Sequence, residues 1–499
     1  MSQEAVRYGH LRRPKAPGIS GMSPIQFLVT AALVLVAVVL TFLVNFWIGM
    51  AWVAVAALVM VPWVIGTMVF DTNPYGGLAR RMRFARGERK GYASLAQGPT
   101  GTVSHGALPL PGLMAGAELL QAEDGYGEPF AMIHHTAVDH YSVVIDTEPE
   151  GIVGRDQEDL DRKAALWGTY LGALSRHRDL VGAQVVVETV PDTGLRLERE
   201  ARSEVRDDAP EFSKRVLDAV IEAAPAGSAQ MVTTLTLTFD AAKGALGGKR
   251  SRDTVADDIG TRLPGLISQL RQTGAGSNLR ARVAADIVDD ARVAFDPSVA
   301  AEVEKARASG GTGLTWDECG PVSAVSARDH YAHDGSVSMS MVMVEPPTVF
   351  YTLQLKELLN PSPRVPRKRV AMLYRPLDPG MSAQLAEWRV TSASSNATSE
   401  RRRGTSARKK AALVSAQQNA RDEAEGSPFV RVGCIVTGTV QDHADLPEVH
   451  ATLLNLAQQA KLKFRPAWGM HDAAFVASMP LGLVLPDRVA IPAVLRETF

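Results

Sequence analysis

His134, His135, Asp139 and His140 form the densest grouping of metal-ligating residue types in the chain. Zinc accepts imidazole and carboxylate ligands, but needs several of them converging on one point. Neighbouring residues on a strand face opposite sides, so His134 and His135 would diverge. A hairpin turn carrying polar residues accounts for the cluster, and no metal ligand is assigned. His443, His450 and His471 are scattered, and neither HExxH nor GxSxG occurs. Phosphate binding by a P-loop requires GxxxxGK[ST], whose backbone N–H groups cradle the anion. The nearest stretch, Gly244 to Ser251, has Gly248–Lys249 followed by Arg250, and Lys243 stands where the first glycine belongs. It reads as a flexible basic loop. Cys319 and Cys434 lie far apart with no CxxC spacing, which excludes a disulfide scaffold and points to a reducing compartment. No catalytic residue and no cofactor follow from these residues, and the chain reads as a non-enzyme.

The basic stripe Arg401–Arg403 with Lys409–Lys410 would suit nucleic acid or anionic lipid, but Asp422, Glu423 and Glu425 balance it, so it reads as a solvated helix face. The 499 residues carry a net charge of -1, with neither the basic excess of a nucleic-acid wrapper nor the acidic excess of a disordered chain.

Hydrophobicity is concentrated in one block. Phe27 to Phe70 contains no Asp, Glu, Lys or Arg, a run of 44 residues. A bilayer crossing takes about 20 residues, so the block predicts a two-helix transmembrane hairpin over 25–70 with a turn near Asn45–Gly49. Arg7, Arg12, Arg13 and Lys15 precede it, and Arg80, Arg81, Arg83, Arg86, Arg89 and Lys90 follow it. The positive-inside rule then places both termini and the bulk of the chain in the cytoplasm, with Trp47 and Trp52 at the outer interface and membrane lipid around the hairpin. The absence of ionisable residues within the block argues against an ion pathway.

Residues 1–24 form an N-terminal tail on this reading, and 71–129 a basic connector rich in Gly and Pro. A first α+β domain spans 130–240, with strands at Phe130–His134, Tyr141–Asp146, Ala183–Val190 and Met231–Phe239 and helices at 157–176 and 210–224. In the last strand Met231, Thr233, Leu235, Leu237 and Phe239 alternate with Val232, Thr234, Thr236 and Thr238. Residues 241–330 read as a mainly helical insertion. A second α+β region spans 331–499, with a long helix or helical hairpin at 378–424. The fold class expected is α+β, with small mixed domains of ferredoxin-like type. Duplication of one region into the other is conceivable, but the pattern in the residues is too weak to establish a repeat.

Tyr8-Gly9, Arg13-Pro14, Pro17 to Ser23, Gly91-Tyr92, Gly98-Pro99, Leu110-Pro111-Gly112 and Ala474-Phe475 through Met479-Pro480-Leu481 resemble an actinobacterial integral membrane family found with conjugative elements and type IV-like secretion genes. The architecture resembles a two-helix membrane subunit fused to the N-terminal, non-motor domain of a conjugation ATPase. The resemblance implies an inner-membrane scaffold in a multiprotein complex that docks a separate ATPase, with no catalytic residue. A type VII secretion membrane subunit and a membrane-bound transferase are the alternatives.

Overall fold

The computed structural model describes residues 7–8, 24–43, 45–69, 74–97, 107–152, 154–195, 201–203, 205–206, 208–223, 229–243, 250–345, 350–398, 407–424 and 429–488. The chain divides into two compact units. The larger covers Met1–Arg12, Ser94–Glu387 and Val414–Phe499, and the smaller Arg13–Ala93 and Trp388–Leu413.

In the smaller unit, α1 (Pro24–Leu43) and α2 (Phe46–Val69) pack on each other, with Trp52 Nε1 donating to the Leu33 carbonyl at 3.3 Å, and α3 (Pro74–Arg89) follows. The uncharged block is therefore a helical pair, but the transmembrane reading is overturned. Among the described residues no helix is long and apolar enough to cross a membrane. The plasma-membrane localisation and the integral-membrane, multi-pass character deduced from that hairpin fall with it.

The larger unit is built on one antiparallel sheet instead of the separate ferredoxin-like domains expected. Its strands are β2 (Ser94–Ala96), β3 (Glu118–Glu123), β4 (Pro129–His135), β5 (His140–Thr147), β6 (Leu180–Pro191), β7 (Ala229–Asp240), β8 (Arg280–Ala281), β9 (Ser323–Ser326), β10 (Tyr331–His333), β11 (Ser336–Glu345), β13 (Arg367–Pro376), β14 (Val430–Val440) and β15 (Lys463–Pro466). A separate ladder joins β1 (Arg7–Tyr8) to β12 (Phe350–Tyr351). The order across the sheet is β2-β9-β10-β11-β14-β13-β6-β7-β5-β4-β3, with β8 also on β5 and β15 also on β11.

That order is a repeat. The path β3-β4-β5-β7-β6 matches β9-β10-β11-β14-β13 strand for strand, and β8 joins β5 as β15 joins β11. The registers match as well. Ser142 faces Thr238 as Ser338 faces Thr439, and Thr236 faces Gln184 as Thr437 faces Arg369. The halves meet where β6 pairs β13, with Val186 opposite Ala371. These two residues hold equivalent positions, since Val186 lies across from Thr234 and Ala371 from Ile435. A pseudo-twofold axis therefore passes between them.

The helices are α4 (Gln157–Leu174), α5 (Glu211–Ala223), α6 (Arg252–Arg271), α7 (Ala284–Phe295), α8 (Ala300–Ala308), α9 (Lys356–Leu359), α10 (Pro379–Thr398), α11 (Ala407–Ala424), α12 (Leu446–Gln459) and α13 (His471–Ser478). Two of them, α10 and α11, occupy the stretch read as one long helix or a hairpin.

In sequence α6 corresponds to α12, each following the last long strand of its half, and α7 to α13. One sheet face carries a separate core for each half. Phe130, Val143, Leu235 and Leu237 pack under Val255, Ile259 and Leu263 of α6. Met339, Val370 and Val436 pack under Leu446, Val449 and Leu453 of α12. The opposite face carries one shared core, in which Ile287, Ala291 and Phe295 of α7 join Phe475 and Val476 of α13 over Val186 and Ala371.

Candidate functional site

Strand alternation sends one side of β7 into the apolar core under α6, so Thr234, Thr236 and Thr238 emerge on the other face. An antiparallel sheet commonly leaves such a face to water. Here that face is the one the shared core covers, and all three threonines are buried. Buried hydroxyls need partners, and the same answer occurs in both halves. In the first, His135 Nε2 lies 3.1 Å from Ser142 Oγ, which lies 3.0 Å from Thr238 Oγ1. In the second, His333 Nε2 lies 2.8 Å from Ser338 Oγ, which lies 2.7 Å from Thr439 Oγ1. Each histidine ends the short strand before the hairpin, and each serine faces its threonine across the next pair.

The rows end on backbone from the opposite half. His333 Nδ1 lies 2.5 Å from the carbonyl of Phe295, the last residue of α7. His135 Nε2 lies 2.9 Å from the carbonyl of Leu481, just beyond α13. Residues 477–482 cross the first row as a strap. Gln184 Nε2 donates to Ala477 and Met479 carbonyls at 2.9 Å each, and Gln184 Oε1 accepts from Gly482 N at 3.1 Å. Thr236 donates to the Pro480 carbonyl at 3.1 Å and Thr238 to the Gly482 carbonyl at 2.8 Å. Gly482 sits at φ +71, and a Cβ there would lie 2.3 Å from Ser142 Oγ. Glycine meets both the backbone and the space requirement.

The chemistry of the rows follows from where the protons go. His333 donates through Nδ1 to a carbonyl, which leaves Nε2 to accept from Ser338, the arrangement of a serine and its general base. His135 uses Nε2 to donate to Leu481, so the same nitrogen is not free to take a proton from Ser142. Both serines are fully buried and both histidines are 1% exposed. A nucleophile needs a site beside it for the reacting carbonyl and for oxyanion donors; beside Ser142 the carbonyls of Leu481 and Gly482 take that place, whereas in the second row the Phe295 carbonyl lies on His333 Nδ1, away from Ser338. Burial pushes His135 down to about 3, with the charge of Arg488 adding to it, and pushes His333 down to about 4. Both rings are held neutral.

Beside the pseudo-axis lies an ionic cluster. Glu188 accepts from Arg369 at 2.8 Å and lies 3.0 Å from Arg367 Nε. Arg282 bridges Asp146, at 2.6 Å, and Asp290, which also pairs with Arg307 at 2.7 Å. Burial alone would raise both Glu188 and Asp290, but the guanidiniums of Arg369 and Arg367, and of Arg282 and Arg307, hold them below the usual carboxylate range. Glu188, Arg282, Asp290, Arg369 and Pro480 help line a cavity of about 20 Å³, room for about one water molecule.

The histidine cluster singled out in sequence is split as strand geometry requires. His134 Nε2 is 3.0 Å from Asp139 and its ring stacks on Tyr141, whereas His135 turns into the polar row. Among the described residues no group of three His, Cys, Asp or Glu is placed to hold a metal ion. His443 packs its ring against His330 at 4.7 Å, and His471 Nδ1 accepts from Ser340 N at 3.1 Å. Most of the P-loop-like stretch, 244–249, lies outside the described residues, and Arg250 beyond it pairs with Asp258 at 2.8 Å. Arg12, Arg13, Lys15 and Arg401–Arg403 lie outside the described residues, as do the side chains of Arg80, Lys409 and Lys410. Trp47 is exposed, and Arg81, Arg83 and Arg86 are exposed on α3.

Sequence reasoning passed over Ser142, Thr238, His333, Ser338, Thr439, Gln184 and Glu188. The available signal was the pairing of Thr234-Leu-Thr-Leu-Thr238 with Thr437-Gly-Thr439, each following an earlier hairpin whose first strand ends in His and whose second carries Ser. No protein-family model and no curated protein matches the chain.

Proposed function

We propose that this chain is a non-catalytic scaffold subunit of a bacterial secretion or conjugative-transfer apparatus of the type IV kind, and that it docks a separate ATPase. The observation that carries the non-catalytic part is the closure of both His–Ser–Thr rows by main chain of the opposite half. Their most reactive-looking groups are fully buried and join the halves through the Leu481 and Phe295 carbonyls. The resemblance of the short motifs, Tyr8-Gly9 through Met479-Pro480-Leu481, to a conjugation-associated family is what supports the apparatus. The missing P-loop agrees with a motor supplied by another subunit.

The test is affinity capture of the tagged full-length chain in mild detergent, with the recovered proteins identified by mass spectrometry. Recovery of a secretion or conjugation ATPase supports the reading, and a chain recovered without partners overturns it. Recovery of small type VII substrates in place of conjugation proteins would move the assignment to that system.

A further inference from the structure

The near-neutral charge of the whole chain conceals a division. The smaller unit, Arg13–Ala93 with Trp388–Leu413, contains fifteen Lys and Arg against three Asp and Glu, whereas the full chain carries -1. The acids that offset the 401–410 stripe in sequence, Asp422, Glu423 and Glu425, belong to the larger unit. A charge asymmetry of this size within one chain points to a polyanionic partner.

Helix α3 presents part of this charge to solvent. Arg81, Arg83, Arg86 and Arg89 are exposed, and none of them pairs with a carboxylate among the described residues. Arginines of the larger unit behave differently, and Arg262, Arg282 and Arg292 each bridge two carboxylates. Arg83, Arg86 and Arg89 recur at every third residue, a spacing at which like charges repel. The dipole at the helix C-terminus favours Arg86 and Arg89 in the last turn, but its reach excludes Arg81 and Arg83.

The order of charges around the helix selects the occupant. Arg81 and Arg83 fall on opposite flanks of the exposed Leu78 and Met82, and Arg89 falls in line with that pair. A helix lying in a lipid surface needs an uninterrupted apolar face, and Arg89 interrupts this one. Cations on both flanks suit the major groove of B-form DNA, which admits an α-helix between its phosphate-lined walls. We propose that the smaller unit binds duplex DNA through α3, with Arg81, Arg83, Arg86 and Arg89 on backbone phosphates. The contact needs neither an ATPase nor an apparatus, so it stands or falls apart from the scaffold reading.

Fluorescence anisotropy of a short labelled duplex of mixed sequence, titrated with the full-length chain, tests it. Four phosphate contacts predict an affinity loss on the order of 100-fold between 50 and 200 mM salt. Arg81→Ala, Arg83→Ala and Arg86→Ala together are expected to remove most of the binding and to flatten that salt dependence. The three Lys replacements at the same positions keep the charge and are expected to retain it. Arg176→Ala, Arg178→Ala and Arg364→Ala together take as much charge from exposed positions of the larger unit and should leave binding unchanged. Equal loss in the two Ala triples, duplex binding unaffected by the α3 triple, or no duplex binding at 50 mM salt would overturn the proposal. So would α3-dependent capture by phosphatidylglycerol vesicles from a chain that leaves the duplex unbound, which would assign the helix to an anionic lipid surface. All six positions are exposed, so an unchanged melting temperature separates loss of contact from loss of fold.

Discussion

Neutral imidazole is the form that fits His135, His333 and His471, and this gives the protein a pH dependence with a definite sign. Burial lowers all three, to about 3, 4 and 4. In the unfolded chain each returns to about 6.5. As pH falls below that value the unfolded state binds protons that the folded state refuses, so stability declines until the folded values are reached. Each group contributes a slope of up to about 1.4 kcal/mol per pH unit. The melting temperature should therefore fall steadily between pH 7 and pH 5, where surface carboxylates are still ionised. Replacing His471 with Gln should flatten that slope, measured by intrinsic tryptophan fluorescence. Glu188 and Asp290 act in a separate window. Their folded values are depressed, so their contribution is present above the unfolded carboxylate value and disappears as pH falls through the folded one.

Glu188 also tests how the ionic cluster holds together. Removing one member of a buried ion pair leaves an uncompensated charge and costs about 3–5 kcal/mol. With 18% of the Glu188 side chain accessible, Glu188→Ala is expected near the lower end, and Glu188→Gln, which keeps an acceptor for Arg369, to cost less. Equal melting temperatures for Glu188→Ala and the parent chain would contradict a structural role for the cluster.

The strap over the first row makes the next contrast. Gly482 and Gly194 both sit at positive φ, +71 and +76, but a Cβ at Gly194 meets nothing within 4 Å, whereas at Gly482 it meets Ser142. Gly194→Ala should cost about 1–2 kcal/mol from backbone conformation alone. Gly482→Ala should cost clearly more, because Ser142 and Thr238 must also give way, and thermal melts of the two variants side by side measure the difference. Elements of this size were largely legible in the sequence. The strands at 130–134, 141–146, 183–190 and 231–239 and the helices at 157–176 and 210–224 all coincide with structural elements, because each carries a clear apolar period. Short strands such as β9, β10 and β15 were missed, since three or four residues are too few to show alternation. The candidate site was illegible for a different reason. A threonine that alternates with leucine reads as solvent-facing, and only the second layer of helices and the strap reveal it to be buried. The repeat stayed hidden because the hairpins differ in length, four residues between His135 and His140 against two between His333 and Ser336, and because the equivalent of Gln184 is Arg369.

Duplication about the β6–β13 seam makes each half dependent on the other. The seam pairs seven residues on each strand, Lys368–Tyr374 against Thr189–Ala183. Separation would expose two long strand edges that invite aggregation. It would also open the shared core, because α7 of the first half and α13 of the second close over both sides of the axis, and it would strip His135 and His333 of their carbonyl acceptors. The exposed Gly310–Gly311 turn between α8 and β9 offers a place to divide the chain without cutting an element. Fragments 1–310 and 311–499, produced together, should copurify as a one-to-one complex with the circular-dichroism spectrum of the intact chain. Produced separately, each should be insoluble or fail to melt cooperatively. If either fragment alone behaved as a stable monomer with a sharp transition, the halves would be independent domains resting edge to edge, and the shared core would not be what unites them.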